Sequence, residues 1–297
     1  MHKYLKAIGF SNYTKHKEIQ QLLNLVYENP DAIDSVNTDP FNRDHDVLVS
    51  ISKNFGEGFG IQIFGEYDGN GHFHMDYYFP YVTSNFAPRD LTISIRRHSD
   101  KSAYSAMCEE YNLGISLIYY IQNPTNYLRF KLYYIKPDGV FPVRLCALST
   151  NGKILFPVLK NEKEQAKLKV LSKQRAKLME DAKNGDEDAI EDLTMEDMNL
   201  FNTAIRRIQN EDLYSIVNTS FIPNGVECDH YSVVGEIIDC KEVENTITNE
   251  KLYSLHVESN DIDFQVLINQ ADLLGVPDIG RRFKGDIWLQ GQVLFRE

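Results

Sequence analysis

A chain of 297 residues with 42% hydrophobic composition carries enough apolar material for at least one substantial core, and its length favours about two domains. Formal net charge is -12 and the excess falls late: residues 226–297 hold 6 basic and 14 acidic side chains, whereas residues 1–160 hold 16 of each. Phosphate backbones are gripped by neutralising Lys and Arg, so this balance disfavours general nucleic-acid binding and leaves room only for a local basic strip.

The start, MHKYLKAIGF, lacks an apolar run followed by a small-residue cleavage site, and no stretch approaches the roughly 18 to 20 apolar residues of a membrane span. A cytoplasmic protein with no membrane partner is expected. Cys108, Cys146, Cys228 and Cys240 form no CxxC pair, which fits reduced thiols rather than a disulfide framework.

In chain order, Thr14 to about Glu28 reads as an amphipathic helix with Ile19, Leu22, Leu23 and Val26 on one face and Pro30 beyond its end. Residues 31–45 are polar, contain a proline and read as a loop. From Asp46 the period changes to two: Val47, Val49 and Ile51, then Ile61 and Ile63, then Phe73, Met75, Tyr77 and Phe79, then Leu91, Ile93 and Ile95. Turn signals separate the strands, at GEG 56–58, DGNG 68–71, PDG 137–139 and NG 151–152. The segments GISLIYYIQN, NYLRFKLYYIK and VFPVRLCALS continue the alternation, giving about eight strands over residues 46–159, while residues 103–112 fit strand or helix equally. Short turns imply antiparallel neighbours, so the expectation is a large antiparallel sheet covered on one face by the first helix and by the central helices, an α+β arrangement.

Residues from Asn161 turn helical, with Leu168, Leu171 and Leu178 at heptad-like spacing and Asn184-Gly185 as the stop. Its Lys-rich face reads as a solvated helix surface. A further helix is expected to start at Thr194, with Asp197 at the capping-box position, Leu193 and Met198 as a hydrophobic staple, and Met198, Phe201, Ile205 and Ile208 as a buried stripe. Glu196 and Asp197 at its start and Arg206 and Arg207 at its end suit the helix dipole. The last 72 residues suggest strands at 231–239, 251–258, 262–268, 281–289 and 291–295, with a short helix in NQADLLG before the fourth. That order matches an OB-fold, a small Greek-key barrel, with Gly280, Gly285 and Gly291 as candidate corners. The division is therefore 1–160 as an α+β antiparallel-sheet domain, 161–225 as a helical connector and 226–297 as an OB-like β-barrel.

Chemistry-bearing residues are sparse. His72, His74 and Asp76 alternate along one strand and would leave one face, a plausible metal set, although any half-solvated strand looks the same. Glu227, Cys228, Asp229 and His230 concentrate ligand types, but the tight pair that anchors a closed zinc site is missing, and a turn in which Asp229 bonds local backbone accounts for them. GEGFGIQIFG has Ile61 where a dinucleotide fingerprint needs glycine and joins two strands, so it reads as a hairpin. GDEDAIEDL has Glu191 where a calcium loop needs glycine. On the last module Tyr253, His256, Arg281, Arg282 and Lys284 are the residues that could stack on bases or contact phosphates. Phe264 and Trp288 follow the strand alternation and read as barrel filling.

At MHKYLKAIGF, NLGISLIYYIQN, EDLYSIVNTSFIPNGVECDHYSVVGEI and RRFKGDIWLQGQV the chain resembles a domain-of-unknown-function family of uncharacterised proteins from anaerobic Gram-positive bacteria. The resemblance implies a bacterial cytosolic protein and transfers no catalytic residues. The functional expectation is a non-enzymatic binding or scaffolding protein with a protein partner and no cofactor. The alternatives are a single-stranded nucleic-acid binder using the barrel and a metal-dependent enzyme at His72, His74 and Asp76. The sequence leaves oligomeric state open.

Overall fold

Two long strands form the spine of the molecule: β8, Gly139–Leu155, and β14, Arg282–Val293, pair antiparallel from Val143–Val293 to Leu155–Arg282, with one register shift between Asp286 and Ile287. The computed structural model describes residues 2–37, 47–68, 70–98, 103–110, 115–133, 139–157, 162–208 and 218–295.

Around the spine, strand pairings close two circuits. β10 (His230–Glu244), β11 (Lys251–Ser259) and β12 (Ile262–Asn269) form an antiparallel meander. β12 then pairs in parallel with β8 at Cys146–Ser149, and β10 pairs with β14. On the other side β5 (Arg89–Arg97), β6 (Tyr104–Glu110) and β7 (Ile115–Ile121) form a second meander. β5 pairs with β8 at Gly139–Val143, and β7 touches β14 at Gln290 and Gly291. One core runs through both circuits, with Tyr119, Leu145, Ala147, Phe264, Phe283 and Leu289 among its buried side chains.

The sheet that forms is therefore mixed, and it joins strands from either side of residues 161–225. Two short strands extend it, β9 (Ser220–Pro223) on β10 and β13 (Leu273–Leu274) on β8, and the four long strands of 226–297 do not close a barrel by themselves, because β8 stands between β12 and β14. Asn151-Gly152, expected to turn a hairpin, lies inside β8, where a Cβ on Gly152 would sit 2.7 Å from the Phe283 ring. Glycine is needed there for space, not for a turn. Likewise the two strands expected at 281–289 and 291–295 are one, and Gly291 makes room for the Tyr119 ring 2.5 Å from where its Cβ would be.

A separate four-stranded antiparallel sheet consists of β1 (Ala32–Asn37), β2 (Val47–Gly56), β3 (Phe59–Tyr67) and β4 (Phe73–Val82), joined from β2 onward by the expected hairpins. β1 corrects the loop expected from residue 31, and residues 38–46 lie outside the described set. Its apolar face packs on the outer face of the spine, so Val49, Ile51, Ile61, Ile63 and Phe79 share a second core with Cys146, Leu148 and Trp288. α1, His16–Glu28, buries Ile19, Leu22, Leu23 and Val26 in the same core, and Glu18 accepts hydrogen bonds from the backbone N–H groups of Thr14 and Lys15 at its start.

A 3-10 turn at Lys3–Ile8 completes this layer, and Gly9, at φ +86°, lets the chain leave it. Asn245, fully buried, donates to the Ile8 carbonyl and Thr248 Oγ1 to that of Gly9, which pins the turn in place. The cover over the spine is thus a second sheet with the N-terminal segment. α3 (Glu162–Lys183) and α4 (Glu187–Ile208) instead pack on each other, with Arg175 bonded to Glu196 and Asp197.

Three local expectations fail for identifiable reasons. Residues 124–133 form α2, Pro124–Tyr133, not a strand: Tyr127 and Phe130, three apart, both pack on Phe295. The last helix starts seven residues before Thr194, because Asp186 Oδ1 already accepts from the N–H groups of Asp188 and Ala189. Thr194 instead donates to the Ile190 carbonyl inside the helix, and Met198 is exposed. The side chains of Leu168, Phe201, Ile205 and Ile208, and residues 137–138 of the PDG turn, lie outside the described set.

Candidate functional site

Among the described residues the principal cleft, about 530 Å³, opens where the two sheets and the N-terminal turn meet. Its back wall is a cross-strand pair. His230 opens β10 directly opposite Trp288 of β14, so the two side chains leave the same face of the sheet, with ring centroids 6.5 Å apart and planes at 18°. Trp288 is buried as its alternation suggested, but in the core between the two sheets and not inside the barrel. Its neighbours Ile287 and Leu289 point into the strand core, while Phe264 is inside as expected.

Asp229 organises this wall. The turn before β10 is closed by the Asn224 N–H on the His230 carbonyl and docked by the Leu289 N–H on the Asp229 carbonyl. That places the buried Asp229 carboxylate 2.8 Å from Trp288 Nε1 through one oxygen and 2.8 Å from His230 Nδ1 through the other. Burial alone would raise its pKa, but the hydrogen bonds from His230 and Trp288 and the attraction of His230 outweigh it and hold the carboxyl below its usual range. An ionised carboxylate only accepts, so His230 Nδ1 carries a proton and donates it to Asp229. Nε2 lies 3.0 Å from Glu227 Oε2, at ion-pair distance but without the alignment of a hydrogen bond.

Aromatic rings build the rest. Tyr4, delivered by the N-terminal turn, stacks on Trp288 at 5.3 Å and lies 5.6 Å from the His230 ring. His2 lies 4.8 Å and Tyr120 5.2 Å from Trp288. Tyr77, Tyr78 and Phe79 of β4 form the facing wall. Burial, then the carboxylates of Glu227, Asp229 and Asp286, push the Tyr4 hydroxyl well up, so the cleft resists additional negative charge.

The expected site residues lie elsewhere. His72 and His74 are exposed, and both engage Asp68, whose carboxyl is held down to about 2 by the backbone N–H of His72 and the ring of His74. Asp76 falls at a bulge between the pairs Gly65–Met75 and Phe64–Tyr77, which breaks the alternation that would align it with the histidines. Among the described residues no group of three or more His, Cys, Asp or Glu is placed to hold a metal ion.

The five barrel residues are dispersed. Tyr253 is buried, with its hydroxyl accepting from Gln270, and His256 stacks on Phe86 at 4.4 Å, bonds Asp263 and lines a smaller cleft of about 290 Å³. Arg282 is buried with its guanidinium on the carbonyls of Phe156 and Asn218, Arg281 donates to the Val276 carbonyl, and Lys284 lies between Val234 and Lys153 on the spine.

Asp229 and His230 stood out in the sequence only as ligand types in a turn. Their partners Trp288, Tyr4 and Tyr120 arrive from distant segments, and the one local signal was the coincidence of Asp, His and Glu within four residues.

A family model described as "Domain of unknown function, E. rectale Gene description (DUF3881)" matches residues 5–291, and the chain belongs to that family. No curated protein and no solved structure matches it.

Proposed function

We propose that this member of the family is a cytoplasmic binding protein whose principal cleft captures a ring-bearing or side-chain-sized ligand. One observation carries the reading: a single buried carboxylate fixes both the indole and the imidazole of the cleft wall. Such a side chain is costly to bury unless every oxygen is used, and here the outlay holds two recognition groups in place rather than merely filling a core. The volume falls within the roughly 300 to 1,000 Å³ of small-molecule sites, and apolar rings with a few converging polar groups are their usual lining. A side chain displayed by a protein partner fits the same space.

Trp288 is the chain's only tryptophan, so intrinsic fluorescence reports on this wall alone. Titration with a library of small metabolites and short peptides should reveal ligands that shift Trp288 emission saturably, with the response lost in His230→Ala. Ligands found by calorimetry that leave Trp288 emission unchanged would sink the reading.

We further propose that the circuit β10, β11, β12, β8, β14 is the OB-like barrel expected from the last module, with β8 supplying its fifth strand. The parallel pairing of β12 with β8, the short helical turn Gln270–Asp272 before β14 and the buried Phe264 support it. On this reading the barrel serves as the frame that carries His230 and Trp288.

A further inference from the structure

We propose that the ligand of the principal cleft carries an organic cation, an ammonium or quaternary ammonium group, held over the Tyr4 ring and beside Glu227. This deepens the ligand-binding reading and rests on it.

The chain supplies its own stand-in. Lys3 Nζ lies 5.1 Å from the centroid of the Tyr4 ring and 3.5 Å from Glu227 Oε2, so an ammonium already sits at the lip of the cleft between a π face and a carboxylate. Aromatic faces attract cations through their quadrupoles, and several converging rings are how proteins hold quaternary ammonium groups. Tyr4 and Tyr78 line the opening, and Trp288 is stacked against Tyr4 at 5.3 Å. The field has the matching sign: Asp229 is ionised, Glu227 lies beside it, and both, with Asp286, act on Tyr4. An anionic ligand would meet the two carboxylates that line the cleft, Glu227 and Asp229. The Lys3 side chain is 59% exposed and Glu227 64%, so Lys3 is free to swing out and leave both the ring and the carboxylate to an incoming cation.

Calorimetry on the full chain with choline, against its neutral carbon isostere 3,3-dimethyl-1-butanol, tests the charge at constant shape. Choline should bind roughly tenfold more tightly, the increment of a partly desolvated cation–π contact. Glu227→Gln, an exposed change whose fold is checked by circular dichroism, should narrow that gap, and Lys3→Gln should strengthen choline binding by removing the internal competitor. A peptide bearing trimethyl-lysine, run in parallel, separates the two sources of the cation: tighter binding than choline indicates a protein partner, weaker binding a free small molecule. Equal affinity for choline and the isostere, or neutral ligands that move Trp288 while choline does not, overturns the cation and leaves the cleft as a binding site. If no ligand of any class moves Trp288, both readings fall together.

Discussion

The Asp229 carboxylate accepts a hydrogen bond from the indole Nε1 of Trp288 at 2.8 Å across 59 positions of sequence, inside the protein. Its other oxygen is bonded to His230, so one acidic side chain fixes two of the rings that line the principal cleft.

Asp229→Asn should therefore destabilise the fold by about 2 kcal/mol at neutral pH, the usual scale for losing hydrogen bonds to a charged group. The folded pKa of Asp229 lies below the unfolded value of about 3.9. Its contribution is then complete above that unfolded value and fades as pH falls through the lower folded one. Urea titrations of wild type and Asp229→Asn should show a gap that is constant from about pH 5 to 7 and closes below pH 4. A gap that widened on acidification would contradict the assignment.

The two sheets are stitched by a pair of glutamines. Gln122 Nε2 donates to Gln290 Oε1 at 2.7 Å and approaches the Val82 carbonyl at 2.9 Å, while Gln290 Nε2 donates to the Pro80 carbonyl, all out of water. Gln290→Leu should cost about 1 to 3 kcal/mol by stranding its partners. Removing both glutamines should cost less than the sum of the single changes, as expected for groups in one network. Strict additivity in a double-mutant cycle would show that the pair does not act as a unit.

Cysteine reactivity should map the same architecture. Burial pushes the Cys146 thiol up to about 12, whereas Cys228 is exposed on the rim of the cleft. Thiolates, not thiols, react with iodoacetamide. Mass spectrometry of the labelled native protein should find Cys228 modified first and Cys146 only after denaturation, with a cleft ligand slowing modification of Cys228. Equal rates at the two positions would count against the packing of the spine on the second sheet.

How much of this was legible depended on the range over which the decisive contacts act. Strands β2 to β5 showed in the alternation of Val47, Val49 and Ile51 and of Leu91, Ile93 and Ile95, because one face of each is buried and the hairpins between β2, β3 and β4 are local. α2 was misread because Leu128, Phe130 and Leu132 also alternate, yet Pro124 at its first position was a helix-start signal in plain view. Gly152 and Gly291 were taken for turn or corner residues when what they answer to is crowding by Phe283 and Tyr119, which only the closed circuits create. The site lay beyond local pattern altogether. Nothing around Trp288 announces that it faces away from the barrel, and nothing in the first ten residues announces that Tyr4 will stack on it.

The most direct measurement of the central claim is the indole N–H resonance of Trp288, the single such signal in a nitrogen-15 spectrum of this chain. It should be followed as the small-molecule fraction of an extract of the native cells is added. The expected result is a saturable shift of that peak, together with neighbouring signals from Tyr4 and His230, abolished in Asp229→Asn. Shifts that gather elsewhere while the indole peak stays fixed would place the protein's binding activity outside this cleft and contradict the account.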